Sequence, residues 1–384
     1  MPNFEGNERK YVDDAIDTTW VSTGGAYITR LEKGLADFLH TENVAACQSG
    51  TSALHMSLAE AGVAPGDVVL VPPLTFIAAV NPVKYQFATP VFIDCDDSFC
   101  MDPGKLRSFC EEECEWDGEK LKYNGAVVRA VVVVHVFGNM ADMVSIMETA
   151  GRYGLKVIED ATEALGTHYT EGPLKGKYAG TIGHFGAYSF NGNKIITTGG
   201  GGAVTANDPA VVDHIRFLST QAKTDPHYYI HDEIGYNYRM TNIQAAMGVA
   251  QLEMLPEFIR RKNANYEQYK AEFDGFEYGK LMPFREGTFS NKWFYSVNID
   301  RSRIRASMRE IIISLHDRKI ETRAIWGLIN EQKPYRDEVT YKLEKAPYYA
   351  DRILNIPCST NITGDEIGYV AAEVKKLLEE LANE

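Results

Sequence analysis

Short apolar runs alternate along the first two-thirds of the chain with longer stretches whose apolar residues recur at helical spacing. The run Val44–Cys47 leads through Gln48, Ser49, Gly50 and Thr51 into an amphipathic stretch over 52–61. Val68–Val71 stops at Pro72 and Pro73, and residues 90–94 form another strand pattern. Residues 131–136 are apolar on both faces apart from His135, and 155–158 run directly into Glu159 and Asp160. Continuous apolar strands separated by helices predict a mostly parallel central sheet flanked by helices on both faces, an α/β arrangement. Ligands in such sheets bind beyond the carboxyl ends of the strands. After residue 245 the pattern changes. A long charged helix over 247–273 is followed by strand patterns at 294–299 and 320–326, a helix pattern near 303–317 and a last helix over 363–381. The division predicts a large α/β domain over residues 1–245 and a smaller C-terminal α+β domain over 246–384.

Composition narrows the possible partners. Lys and Arg total 39 against 53 Asp and Glu, a net charge of −14 that repels nucleic acid and anionic lipid. No apolar run reaches the ~18 residues of a membrane helix. The opening, MPNFEGNERKYVDD, has scattered charges and no apolar core, so it does not read as a signal peptide. A cytoplasmic chain with six reduced cysteines is therefore expected. Cys95, Cys100, Cys110 and Cys114 lie close together, but their spacing fits no usual zinc finger and no metal is expected.

Three strand ends carry candidate chemistry. Ser49, Gly50, Thr51 and Ser52 open a helix, where small residues let backbone N–H groups approach a phosphate; an ordinary N-cap would look the same. Asp160 follows an apolar strand and must be paired or solvated. It could hold a protonated ring nitrogen or cap the next helix. Lys194 ends the run from Ser189 to Asn193 and precedes the glycines 199–202. A desolvated lysine there is a nucleophilic amine, and a surface lysine before a hairpin is the alternative. An anion cradle, a ring-nitrogen partner and a reactive lysine are together the parts a pyridoxal phosphate site requires.

The ordered set of segments resembles the DegT/DnrJ/EryC1/StrS aminotransferases, within fold type I of the pyridoxal phosphate enzymes. It comprises Gly6 to Glu8, Trp20 to Ser22, Ser49 to Thr51, Thr75 and Phe76, Glu159 to Ala161, Ser189 to Lys194, Gly235 to Met240 and Glu321 to Arg323. The resemblance covers nearly the whole chain and implies a role for each matching position. Lys194 matches the lysine that links covalently to the cofactor and later moves a proton between cofactor and sugar. Asp160 matches the carboxylate on the ring nitrogen, and Phe76 the aromatic that stacks on the ring. Glu163 stands where glutamine is usual, near the ring hydroxyl. Gly50, Thr51 and Ser189 match phosphate contacts. Asn237 matches a phosphate contact from a neighbouring subunit, which implies a homodimer with shared sites. Relatives in which histidine replaces the lysine are dehydratases, so lysine at position 194 implies transamination. His184 reads as a structural histidine. Compared with the family, the chain begins a few residues late.

The opening segments and Glu159 to Glu163 look like the branch that serves bacillosamine and legionaminic acid synthesis. That likeness implies L-glutamate as donor and C4 of a nucleotide-linked 4-keto-6-deoxy-N-acetylhexosamine as acceptor. Trp20 and Ser22 are candidates for lining the sugar pocket, and Arg239 and Arg323 for clamping the nucleotide or the donor carboxylate. Two alternatives remain open at this point. One is a perosamine-type or 3-amino-sugar enzyme acting on a GDP- or dTDP-sugar; the other is a non-catalytic regulator that binds the cofactor as a sensor.

Overall fold

The computed structural model describes residues 2–383. Seven strands form the body of its ten-stranded main sheet: β1 Val44–Cys47, β2 Val68–Val71, β3 Thr89–Ile93, β4 Ala126–Val134, β5 Lys156–Asp160, β6 Phe185–Ser189 and β7 Gly202–Ala206. Their order is β1-β7-β6-β5-β4-β2-β3, and Thr340–Tyr341 adds a parallel strand beside β3. The Val-rich β4 lies near the middle, where both faces are covered, and β-branched side chains suit that environment.

Only β7 runs against its neighbours. The 12-residue return from Ser189 to Gly202 contains no helix to carry the chain over the sheet, so it doubles back beside β6. Every other main strand points the same way, and the carboxyl ends of β1, β2, β4, β5 and β6 share one edge.

The long helix Asn242–Phe273 starts five residues earlier than its apolar spacing predicts, because Thr241 and Gln244 form a capping box. It runs straight through residue 245, so the change of pattern there occurs within one helix and not in a linker. One hydrophobic cluster surrounds the main sheet. A second joins Tyr266, Tyr269 and Phe273 of the long helix to the strands Tyr295–Ile299 and Ile353–Ile356 and the helices Met308–Asp317 and Gly364–Ala382. These strands belong to an antiparallel four-stranded sheet with Gly279–Leu281 and Arg323–Ala324. The predicted strand at 320–326 contracts to two central residues, Arg323–Ala324. All six cysteines are free, and no cluster of three or more metal-ligating side chains occurs among the described residues.

Arg239 is the one expected substrate clamp that the structure commits elsewhere. Its Nη1 donates to Glu32 Oε1 (2.6 Å) and to the carbonyl of Ala46 (3.0 Å), and the same carboxylate oxygen accepts from the Ala46 N–H (2.8 Å). Glu32 is buried, and Arg216 lies 3.5 Å from its other oxygen. Together they close the open side of β1, the edge strand, whose backbone groups would otherwise invite pairing with another chain. The guanidinium caps the edge at β1, and Arg239 does not line the cavity that Lys194 lines. Arg239→Ala should lower the unfolding free energy by about 2–3 kcal/mol in a urea melt, since a charged hydrogen-bond partner is removed from a buried acid. Lost substrate binding with unchanged stability would return Arg239 to the site.

Candidate active site

At the shared sheet edge, the ends of β1, β5 and β6 deliver the candidate groups. β1 ends at Cys47, and Ser49 then caps the helix Gly50–Glu60 through a capping box with Ser52. The first N–H groups of that helix face the edge, with half-buried Thr51 in the first turn. Gly50 is there for space: a Cβ would come within 2.9 Å of both Ser189 Cβ and Thr162 Cγ2. The glycine therefore brings the helix N-terminus against the end of β6, where Ser189 sits, and the three residues form a small polar cradle suited to an anion.

β5 delivers two adjacent carboxylates to opposite faces. Glu159 is fully buried and takes the N–H groups of Gly180 (2.9 Å), Ile182 (2.6 Å) and Gly183 (2.5 Å) together with His135 Nε2 (2.8 Å). His135 Nδ1 accepts the N–H of Ala141 (3.2 Å), which places the ring proton on Nε2, toward Glu159. Asp160, 4% exposed, accepts the N–H of Thr162 (3.1 Å) and makes no ion pair within salt-bridge distance among the described residues. Burial raises its pKa above the ordinary aspartate value, opposed by hydrogen bonds from Thr162 and the charge of Lys194.

Glu163 follows on the next turn. Its Oε2 accepts the N–H of Phe137 (2.8 Å), and its Oε1 lies 3.7 Å from Lys194 Nζ. Phe137 holds φ +58°, a left-handed conformation that costs about 1–2 kcal/mol in a non-glycine residue. The hydrogen bond to Glu163 and the packing around a 2% exposed ring hold it there. Burial pushes the Glu163 carboxyl up to about 7, with Lys194 and the Phe137 N–H working against the shift.

Lys194 belongs to the return between β6 and β7. That return is pinned by Phe190 N–H to Gly201 O (2.8 Å), Thr198 N–H to Phe190 O (2.9 Å) and Lys194 N–H to Asn191 O (3.0 Å). Its amine lies 4.4 Å from the centroid of the Trp293 ring. Lys194 and Asn193 also form part of the wall of a cavity of about 660 Å³, which Trp293, Lys262, Arg323 and Asn355 line as well. Arg323 makes no ion pair among the described residues and shares this cavity with Lys194. Phe76, on the loop five residues after β2, leaves 56% of its surface free, an apolar ring standing open after a buried run.

Trp20, Ser22 and Asn237 are placed differently. All three are exposed, and none lines the Lys194 cavity. The backbone carbonyls of Trp20 and Ser22 accept from Asn242 Nδ2 (2.6 Å) and the Asn242 N–H (2.6 Å), which ties their loop to the start of the long helix. His184 Nδ1 accepts the N–H of Val157 (3.0 Å), and burial lowers its pKa.

The residues that sequence reasoning passed over all lie beyond the large sheet. Asn291 Nδ2 donates to the carbonyls of Glu163 (2.9 Å) and Leu165 (3.0 Å) and so fixes the turn that carries Glu163. Lys262 is buried in the long helix and donates to the carbonyls of Trp293 (2.7 Å) and Cys358 (2.5 Å). Gln251 takes the N–H of Thr197 (3.2 Å) and donates to Asn3 O (2.8 Å) and Glu8 Oε1 (2.6 Å). Trp293 touches Lys194 itself. No local pattern announces any of them, because their partners are 30 to 250 residues away.

The residues at the edge fit pyridoxal phosphate. A cradle that a Cβ would fill, a buried carboxylate without a cationic partner and a half-buried lysine amine occur together, and an exposed aromatic ring stands on the loop after β2. Comparison with known proteins agrees. The family model of the DegT/DnrJ/EryC1/StrS aminotransferases matches residues 2–375. The chain is 36% identical over 374 residues to EpsN of Bacillus subtilis (strain 168), covering 96% of this chain and 92% of that protein. It is 35% identical over 379 residues to GDP-perosamine synthase of Caulobacter vibrioides, covering 98% and 97%. A crystal structure of a DegT DnrJ EryC1 StrS aminotransferase from Brucella abortus superposes with a TM-score of 0.86 at 25% identity, covering 97% of this chain and 95% of that one. This chain belongs to the DegT/DnrJ/EryC1/StrS family and is a pyridoxal phosphate-dependent sugar aminotransferase with the type I fold.

Proposed function

We propose that the enzyme transfers the amino group of L-glutamate to C4 of a nucleotide-linked 4-keto-6-deoxy sugar. The observation that carries this reading is the Lys194 amine, half-buried and 3.7 Å from Glu163 on the edge where Asp160 ends β5. Pyridoxal phosphate, when bound, supplies a ring that takes up the electron pair left when a proton departs from the amine-bearing carbon. Asp160 would hold the proton on the ring nitrogen. Gly50, Thr51 and Ser189 would receive the phosphate, and the helix dipole favours that charge. Phe76 would offer an apolar face to the ring, and Glu163 would share a proton with the ring hydroxyl. Lys194 then serves as general acid and base, taking the proton from the donor carbon and delivering it to the acceptor. Arg323, which lines the same cavity, would clamp the donor carboxylate or a nucleotide phosphate.

Exposed Asn237, Trp20 and Ser22, outside the Lys194 cavity, support a homodimer in which a second copy completes each site. Tyr228, Tyr229 and Ile234 leave most of their surface exposed, which supports the same assembly. For the sugar, the opening segments favour UDP-2-acetamido-2,6-dideoxy-4-keto-hexose. A GDP-linked 4-keto sugar is the second reading, favoured by the 35% identity to GDP-perosamine synthase. Competition among UDP-, GDP- and dTDP-sugars for amine acceptance separates them, the preferred nucleotide being the one that suppresses turnover of the others.

Two experiments test the chemistry. Wild-type protein with pyridoxal phosphate should develop a yellow absorbance band that glutamate bleaches. Lys194→Ala should fold, form no such band and lose turnover by about a thousandfold or more. A band that forms yet ignores glutamate would favour a sensor over a transaminase. The second uses Glu163. An acid whose folded pKa, about 7, exceeds its ordinary 4.5 stabilises the fold fully below pH 4.5, and that contribution is lost as pH rises through 7. Glu163→Gln in cofactor-free protein should therefore gain stability over wild type between pH 5 and pH 8, by up to about 3 kcal/mol. Urea melts showing the same difference at both pH values would refute the shift.

A further inference from the structure

Trp293 has no part in the roles assigned so far, yet it is the aromatic ring in contact with the reactive amine. The Lys194 Nζ lies 4.4 Å from its centroid and 3.7 Å from Glu163 Oε1, so the amine is held between a ring face and a carboxylate. The ring is locked. Its indole N–H donates to the carbonyl of Asn193 (2.9 Å), the residue just before Lys194. Its face stacks on Phe294 at 3.9 Å and 13°. The backbone on either side is held as well: the Trp293 N–H donates to Asn291 Oδ1 (3.0 Å), and its carbonyl accepts from buried Lys262. Trp293 is 4% exposed.

We propose that Trp293 is a positioning residue that forms, with Glu163, a holding station for the Lys194 amine whenever that amine is not covalently engaged. A lysine that alternates between covalent linkage and proton transfer must be free in half of the cycle. A free alkylammonium on a four-carbon stem explores many rotamers, and each wrong rotamer removes it from the reacting carbon. The face of an indole attracts a cation without forming a directional bond, so it restrains the amine and still releases it. The indole N–H meanwhile fixes the backbone from which that lysine springs. One side chain thus holds both ends of Lys194: the carbonyl of the preceding residue and the charged tip. The station is built from two distant segments, because Trp293 precedes the strand Tyr295–Ile299 while Lys194 lies between β6 and β7. The inference rests on the reading of Lys194 as the reactive amine.

The test compares wild type, Trp293→Phe and Trp293→Leu. Apoprotein is mixed with pyridoxal phosphate, quenched with borohydride at timed intervals, and the fraction of Lys194 peptide carrying the cofactor is measured by mass spectrometry. Single turnovers with glutamate and with α-deuterated glutamate then give the rate and isotope effect of the proton transfer. Trp293→Leu should capture cofactor several-fold more slowly and lose about tenfold in single-turnover rate, with a larger isotope effect and an unchanged glutamate half-saturation. Trp293→Phe, which keeps a ring face and loses the N–H, should recover part of both rates. Wild-type capture and isotope effect in Trp293→Leu would overturn the holding station and leave the transaminase reading intact. Failure of wild type to trap cofactor at Lys194 would overturn that reading instead. If Trp293→Leu gives no cooperative melt, the Phe variant decides: a several-fold slower proton transfer supports the proposal, and wild-type kinetics refute it.

Discussion

A single buried carboxylate organises the edge on which the chemistry depends. Glu159 has no exposed surface, and it is tolerable there only because three backbone N–H groups and the His135 Nε2–H saturate it. Those partners belong to the segment 180–183, which leads into the start of β6, and to the residue just after β4, so meeting the electrostatic demand of one side chain ties β5 to both of its neighbours. Asp160 comes next in the strand and points to the opposite face by the ordinary alternation of a pleated chain. Its presentation at the edge follows from where Glu159 is anchored.

The second organising fact is that the reactive lysine is supported from outside its own sheet. The return between β6 and β7 bonds to itself, but the amine of Lys194 is bounded by Glu163 and Trp293. Asn291 holds the turn of Glu163 and also accepts the N–H of Trp293. Lys262, in the long helix, ties the carbonyl of Trp293 to that of Cys358. The helix therefore transmits the position of the smaller antiparallel sheet to the lysine. Phe137 links the same network to the main sheet, its strained backbone oriented toward Glu163.

Much of the architecture is legible from apolar spacing alone. The short runs at 44–47 and 68–71 are strands at those bounds, since Val-rich segments buried on both faces have no other stable use in an α/β fold. Helix starts are less legible. The long helix begins at Asn242 because Thr241 caps it, a side-chain hydrogen bond that apolar periodicity does not register. The predicted strand at 320–326 shrinks to two residues because it pairs only at the margin of the small sheet. For the site, Gly50, Asp160, Ser189 and Lys194 could be picked out because a polar or small residue after an apolar strand has few structural reasons to be there.

Arg239 shows the limit of that logic. An arginine in an aromatic loop looks available until the fold brings Glu32 and the open edge of β1 beside it, 207 residues earlier in the chain. Trp293, Asn291, Lys262 and Gln251 mark the same limit from the other side: their chemistry is ordinary, and only their partners make it specific. The sequence by itself determined the layered α/β class, the strand ends that face the crevice and the residue types capable of cofactor chemistry. These follow from burial and local backbone preference, which act over a few residues. The tertiary structure decided which charges are free, which are paired and what bounds the reactive amine. Those outcomes depend on contacts between segments up to about 250 residues apart, and desolvation and hydrogen bonding acquire their magnitude only when such segments meet.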